Sequence, residues 1–254
     1  MLKTRNVGFK ISNKTILNQI NLEFKSGKIY GLIGHNGSGK SSLIKILANQ
    51  QKKYSGQVLL LDKNIKEYRA KDFAKKLAYL PQNLPDAADV SGFELVSMGR
   101  YAHQSGFLRD EKNDERIVLE ALETTGTLKF KDQEVRTLSG GERSRLFLAM
   151  LLAQQSDFLL LDEPLAPLDI SFQIEVMQLI SRLSKELKKG VIIVIHDINL
   201  AATYCDYLIA LKKGEVIFNA DAKEIMNSER LAQIYGVKAS IVPHPTQNRL
   251  AAVF

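Results

Sequence analysis

The chain of 254 residues is 45% hydrophobic and 25% charged, with 35 Lys and Arg against 28 Asp and Glu for a formal charge of +7, which excludes a disordered polymer. Its apolar runs fall well short of the roughly 18 residues that cross a bilayer, residues 1–10 lack the apolar stretch of a secretory signal, and the lone Cys205 excludes an intrachain disulfide or a multi-cysteine zinc site. A reducing cytoplasm is the expected location, and the basic balance suits nucleotide, nucleic acid or a membrane surface, or merely a soluble lysine-rich exterior.

In chain order, residues 29–33 read as a buried strand entering a glycine-rich turn, followed by a helix over 40–49 with Leu43, Ile44 and Leu47 on one face. The turn, Gly34-His35-Asn36-Gly37-Ser38-Gly39-Lys40-Ser41, fits the phosphate-binding pattern G-x-x-x-x-G-K-[ST] in the strand–loop–helix setting that it requires. Its glycines let successive N–H groups curl around a phosphate, and the helix adds its positive end. Lys40 is expected to hold the β- and γ-phosphates and Ser41 to ligate Mg²⁺, with Ser42 completing the cradle.

Residues 86–155 lack apolar strand runs, and 93–98, 114–122 and 141–153 carry helical spacing, so this stretch is expected to be a helical insertion between α/β core segments 1–85 and 156–254. Within it, Leu138-Ser139-Gly140-Gly141-Glu142 precedes a helix and forms a second anion-binding helix end. Alone this would more often be a plain cap on Ser139; beside a phosphate loop, it is economically explained by a dimer in which each copy caps the other's nucleotide.

Residues 158–162 and 191–195 read as parallel strands covered on both faces, joined by a helix carrying Phe172, Val176, Leu179, Leu183 and Leu187 and ending near Gly190. The first delivers Asp162 and Glu163 at its C-terminal end, where open parallel sheets bind ligands. Asp162 is expected to orient Mg²⁺, directly or through water, and Glu163 to accept a proton from, or orient, the water attacking the γ-phosphate. A hairpin turning at Lys213-Gly214, short helices over 222–226 and 228–235, and a loop over 243–248 complete the chain.

The phosphate loop, Tyr79-Leu80-Pro81-Gln82, Leu138 to Glu142, Asp162-Glu163, Leu168-Asp169 and Ile195-His196-Asp197, in that order, resemble the nucleotide-binding subunit of ABC transporters over essentially the whole chain. The resemblance implies one α/β domain with a P-loop NTPase (RecA-like) core and a helical subdomain, an ATPase using ATP and Mg²⁺. It implies that Gln82 senses Mg²⁺ and the attacking water and couples them to the membrane partner. It further implies that His196 contacts the γ-phosphate and that Asp169 acts across the dimer.

Glu94 to Tyr101, His196 to Tyr207, and Ile234-Tyr235-Gly236-Val237 with the later Pro243-His244-Pro245 are similar to the ATPases of iron–siderophore importers, most closely the ferric hydroxamate type. The implied assembly is a homodimer at the cytoplasmic face of the cell (inner) membrane, bound to an integral membrane permease fed by a substrate-binding protein. Residues 90–109 would face the permease, with Phe93, Val96 and Met98 as groove residues. Cobalamin or haem is the alternative cargo. A soluble nucleic-acid-associated ATPase is the alternative class; it has only the net charge in its favour, so no nucleic-acid partner is expected.

Three features depart from the pattern. Ile11 stands where an aromatic residue often stacks on adenine, with Phe9 on the same strand face; Leu165-Ala166-Pro167 replaces small polar residues ahead of Asp169; and Arg143 stands where Gln often follows, a change expected to be tolerated on a helix surface.

Overall fold

The computed structural model describes residues 1–85, 87, 89–104, 110–166, 168–244 and 249–254. It begins with two long antiparallel strands, β1 (Leu2–Ile11) and β2 (Lys14–Phe24). Register shifts after Thr4, Val7 and Phe9 interrupt their pairing, so the simple alternation that makes a strand legible from sequence is weak here. Next come β3 (Ile29–Ile33), α1 (Lys40–Leu47), β4 (Ser55–Leu60), β5 (Lys63–Asn64), α2 (Ala70–Ala74) and β6 (Leu77–Leu80). The helices α3 (Gly92–Met98), α4 (Glu111–Thr124) and α5 (Gly140–Ala153) follow, with no strand among the described residues between β6 and β7 (Phe158–Leu161). Beyond β7 the chain alternates through α6 (Ile170–Glu186), β8 (Gly190–Val194), α7 (Ile198–Tyr204) and β9 (Tyr207–Lys212). It ends with β10 (Glu215–Asp221), α8 (Ala222–Ile225), α9 (Ser228–Tyr235), β11 (Ser240–Pro243) and β12 (Leu250–Val253).

The main sheet has the order β10-β9-β3-β8-β7-β6, parallel except for the edge hairpin β9–β10. That hairpin turns at Lys213 and Gly214 with φ of 50° and 84°, the pair of positive values that a tight two-residue hairpin turn demands. Alternate residues of each parallel strand enter two different cores. Leu159 and Leu161 of β7 join a core with α5 and α6, while Phe158 and Leu160 join another with α1 and the sheet β2-β1-β4-β5. Burial on both faces is why these strands read as unbroken apolar runs.

Two expectations need correction. Val96 is 0% exposed, because α3 turns that residue into the core against α4 and α5, and so it cannot line a groove; Met98, on the same helix, is 52% exposed. At the C-terminus, Ser240–Pro243 forms β11, paired with β12, instead of opening a loop at Pro243. Pro167, Pro245, and the parts of the expected permease-facing stretch and terminal loop over 105–109 and 245–248 lie outside the described residues.

Candidate active site

Four parallel strands lie side by side in the order β3-β8-β7-β6, and the chemistry gathers just beyond their C-terminal ends. The glycine-rich turn follows β3, His196 follows β8, Asp162 and Glu163 follow β7, and Gln82 follows β6. These residues span more than half the chain; parallel pairing makes them neighbours.

The turn is shaped by its glycines. Gly34 has φ of 132°, and a Cβ there would stand 2.2 Å from the Leu211 carbonyl oxygen; Gly39 has φ of 110°, and its Cβ would meet Leu17 at 2.6 Å. Side chains at either position would push the loop off β9 and β2. Lys40 opens α1 at 4% exposure, its Nζ donating to the carbonyls of Gly34 at 2.7 Å and His35 at 3.0 Å, which holds the amine inside the curl of the loop. His35, Asn36 and Gly37 are exposed on the loop's rim, while Ser38 is buried with its hydroxyl unpartnered; Ser41 and Ser42 are half-buried at the start of α1.

Glu163 has φ of 53°, a left-handed conformation that costs a side-chain-bearing residue energy and turns the chain sharply after β7. Its carboxylate is gripped from two sides: Gln82 Nε2 donates to Oε2 at 2.8 Å, and His196 Nε2 lies 2.8 Å from Oε1. Glu163 thus touches both Gln82 and His196.

Asp162 differs. It is 1% exposed, and neither carboxylate oxygen has a hydrogen-bond partner. Burial pushes its pKa up, opposed by the Ser41 hydroxyl, reinforced by Glu163, and opposed again by Lys45 and Lys40. The neighbouring Lys40 is pushed down by burial, with Glu163 and Asp162 pulling it back. Two orphaned carboxylate oxygens beside a serine hydroxyl form a hard-oxygen donor set that suits Mg²⁺, which is commonly bound by few protein ligands together with phosphate oxygens. The residues present therefore fit the ion.

Ser139, Gly140, Gly141, Glu142 and Asp169 stand apart from this cluster. Ser139 is the N-cap of α5: its backbone N–H and Oγ donate to Glu142 Oε2 at 2.9 and 2.8 Å, and these bonds lower the Glu142 pKa. Gly140 and Gly141 form the first turn, where Gly141 faces the ring of Phe172. Asp169 caps α6, accepting from Phe172 N at 3.1 Å and Ser171 Oγ at 2.9 Å, which likewise lowers its pKa. None of these bonds reaches Gln82, Glu163 or His196.

Phe9 is partly buried against the core and lines a hollow with Lys10 and Thr15, while Ile11 is 56% exposed. Arg143 does not lie on a bare helix surface: its Nη2 donates to the Pro85 carbonyl at 2.6 Å, a contact between segments 58 residues apart that no local pattern could reveal. The hollow beside His196, about 650 Å³, is walled by His35, Asp197, Tyr235 and Phe254 as well, whereas a larger one, about 930 Å³, includes no residue of the glycine-rich turn.

A parallel sheet whose first strand runs into a phosphate cradle with a buried lysine, and whose neighbouring strand ends in a buried acid, defines a P-loop NTPase of the α/β class. The model of the ABC transporter family matches residues 17–166. The iron(3+)-hydroxamate import ATP-binding protein FhuC of Bacillus subtilis is 42% identical over 98% of this chain and 92% of its own length. The ferric enterobactin transport ATP-binding protein FepC of Escherichia coli is 39% identical over 91% of this chain and 85% of its own. The cassette MJ0796, solved as a dimer in a post-hydrolysis state with ADP and Pi, superposes with a TM-score of 0.76 at 27% identity, covering 87% of this chain and 99% of that one. This chain belongs to the ABC transporter family, as an ATP-binding, ATP-hydrolysing cassette. No helix among its described residues is long and apolar enough to cross a membrane.

Proposed function

We propose that two copies of this chain close around two Mg-ATP molecules and that hydrolysis drives a separate integral membrane permease importing a ferric siderophore of the hydroxamate type. The supporting observation for the catalytic part is the convergence of Lys40, Gln82, Asp162, Glu163 and His196 beyond four adjacent strands. The cargo reading is supported by the 42% identity to a hydroxamate-import cassette over nearly the full chain.

In this reading the backbone from Gly34 to Ser42 wraps the phosphates, and Lys40 exchanges its two carbonyl partners for phosphate oxygens. Ser41, Asp162 and Gln82 would hold Mg²⁺, which would supply positive charge to offset that of the phosphates. Glu163 accepts the proton of the water that attacks the γ-phosphorus; the bond from that phosphorus to the bridging oxygen breaks, and ADP and phosphate leave. Gln82 and His196 keep the Glu163 carboxylate oriented, and His196 turns to the γ-phosphate when ATP is bound. Ser139, Gly140, Gly141 and Glu142 of one copy cap the nucleotide of the other, with Asp169 at the same seam. Among the described residues the side-chain hydrogen bonds of Ser139, Glu142 and Asp169 are local, which supports a second copy as their partner. The protein then works peripherally, at the cytoplasmic face of the inner membrane, with a substrate-binding protein feeding the permease and no nucleic acid involved.

The test is uptake of iron from a labelled hydroxamate siderophore, with labelled cobalamin in parallel, in cells lacking the chain and restored with wild type or Glu163→Gln. Iron uptake restored by wild type alone is the expected result. Cobalamin rescue, or rescue of neither, discards the siderophore reading.

A further inference from the structure

Helix α5 carries Ser139 at its N-cap, and two arginines in its first turns fasten it to different neighbours. Arg145 Nη1 pairs with Glu175 Oε2 of α6 at 3.1 Å, and its guanidinium lies 5.0 Å from the Phe172 ring. That ring also closes on Gly141, where a Cβ would stand 3.4 Å away. Arg145, Phe172 and Glu175 thereby tie the signature turn to the helix capped by Asp169.

Arg143 makes the other attachment. Its guanidinium donates to the Pro85 carbonyl at 2.6 Å and lies 5.8 Å from the Phe147 ring, with Nε buried and unpartnered. Pro85 stands three positions after Gln82 on the same short segment, and Gln82 holds Glu163. A continuous path therefore runs from the Glu163 carboxylate through Gln82 and Pro85 to Arg143 and Ser139. A glutamine at 143 would carry its amide closer to the helix backbone than the guanidinium and would fall short of the Pro85 carbonyl, whereas a lysine extends to within about one bond of the guanidinium nitrogen and carries a charged donor.

We propose that Arg143 is a positioning residue that transmits the seating of the Gln82 segment to the signature turn, so that Ser139 is presented to a second copy's nucleotide when Gln82 is engaged at Glu163. This rests on the reading that two copies close around ATP. A path of contacts becomes coupling only when perturbing one end moves the other, so the experiment reads the far end.

The Glu163→Gln chain is titrated with ATP and its dimerisation followed by size exclusion with light scattering, alone and combined with Arg143→Gln or Arg143→Lys. Each chain's monomeric nucleotide site is measured separately with a fluorescent ATP analogue. The expected result is unchanged analogue binding in all three, an ATP requirement for dimerisation raised about tenfold or more by Arg143→Gln, the factor that one charge-assisted hydrogen bond supplies, and recovery of most of that loss by Arg143→Lys. Equal dimerisation with and without Arg143→Gln overturns the inference while leaving the two-copy reading intact. Loss of analogue binding in Arg143→Gln assigns the residue to the fold and also overturns it. Failure of Glu163→Gln itself to dimerise overturns the underlying reading and this inference with it.

Discussion

Gln82 and Glu163 are 81 positions apart in the chain, yet the amide of the first donates to the carboxylate of the second at 2.8 Å. The bond exists because β6 and β7 pair in parallel register, Leu80 beside Leu161, so the residues just past each strand end meet. With His196 on the other oxygen, both oxygens of the Glu163 carboxylate are held by the protein. In the proposed role of general base, a carboxylate held this way has its orientation set before substrate arrives.

Replacing Glu163 with Gln keeps the shape of the side chain and one acceptor oxygen but removes the carboxylate proposed as the base. ATP binding is expected to persist while kcat falls by about 10²–10⁴-fold, the usual worth of a positioned base. Single-turnover hydrolysis measured beside equilibrium nucleotide binding checks both halves, and normal turnover removes Glu163 from its proposed role.

Lys40→Ala removes the ammonium group that the loop holds within its curl. The expected outcome is weaker nucleotide binding, by about tenfold or more, from loss of a charge-assisted contact to phosphate. Calorimetric titration with ATP reads it directly; unchanged affinity would leave the backbone cradle as the whole phosphate grip.

Asp162→Asn tests the cost of the buried acid. The folded-state pKa of Asp162 is raised by burial, so the native chain favours the protonated form, and its stability falls as pH climbs from the unfolded value of about 3.9 through the higher folded one. The penalty grows with pH over that interval and is complete only above the folded value. The asparagine variant is therefore expected to melt higher than wild type at pH 7 without nucleotide, the difference shrinking as pH approaches 4, while the extra stabilisation from Mg²⁺ with ATP is lost. Melting curves at several pH values, with and without Mg-ATP, check the sign; a lower melting temperature for the variant at pH 7 would contradict it.

Two helices carry the same capping box, Ser91 with Glu94 on α3 and Ser139 with Glu142 on α5. Ser91→Ala and Ser139→Ala should each lower the melting temperature by about 2–4 °C, as loss of an N-cap does in a chain of this size. Hydrolysis should drop only for Ser139→Ala. Equal kinetic effects from the two would reduce Ser139 to a helix cap.

On α3, Met98→Asp places a charge on an exposed side chain and is expected to leave the melting temperature and the isolated ATPase unchanged while weakening co-purification with a membrane permease. Val96→Asp buries an unpaired carboxylate and is expected to abolish folding. Circular dichroism separates the two, and full permease capture by Met98→Asp would remove this helix from the docking surface.

Much of this protein was legible in its residues because the chemistry sits in short contiguous motifs. Gly34 to Ser41 needs only its own backbone and the helix it opens, and Ser139 caps α5 through a residue three positions away. The strands at 29–33, 158–161 and 190–194 declared themselves because burial on both faces demands unbroken apolar runs. The first antiparallel sheet did not, since β1 and β2 alternate irregularly and expose one face. What only the tertiary structure decided are the contacts between distant segments: the order β3-β8-β7-β6 that brings Gln82 and His196 to opposite sides of Glu163, the inward turn of Val96, the unpartnered oxygens of Asp162 and the bond from Arg143 to Pro85. Local pattern records the free energy of a segment against its own backbone and the solvent, whereas these contacts depend on which strands pair and which helix faces pack, set by the chain as a whole.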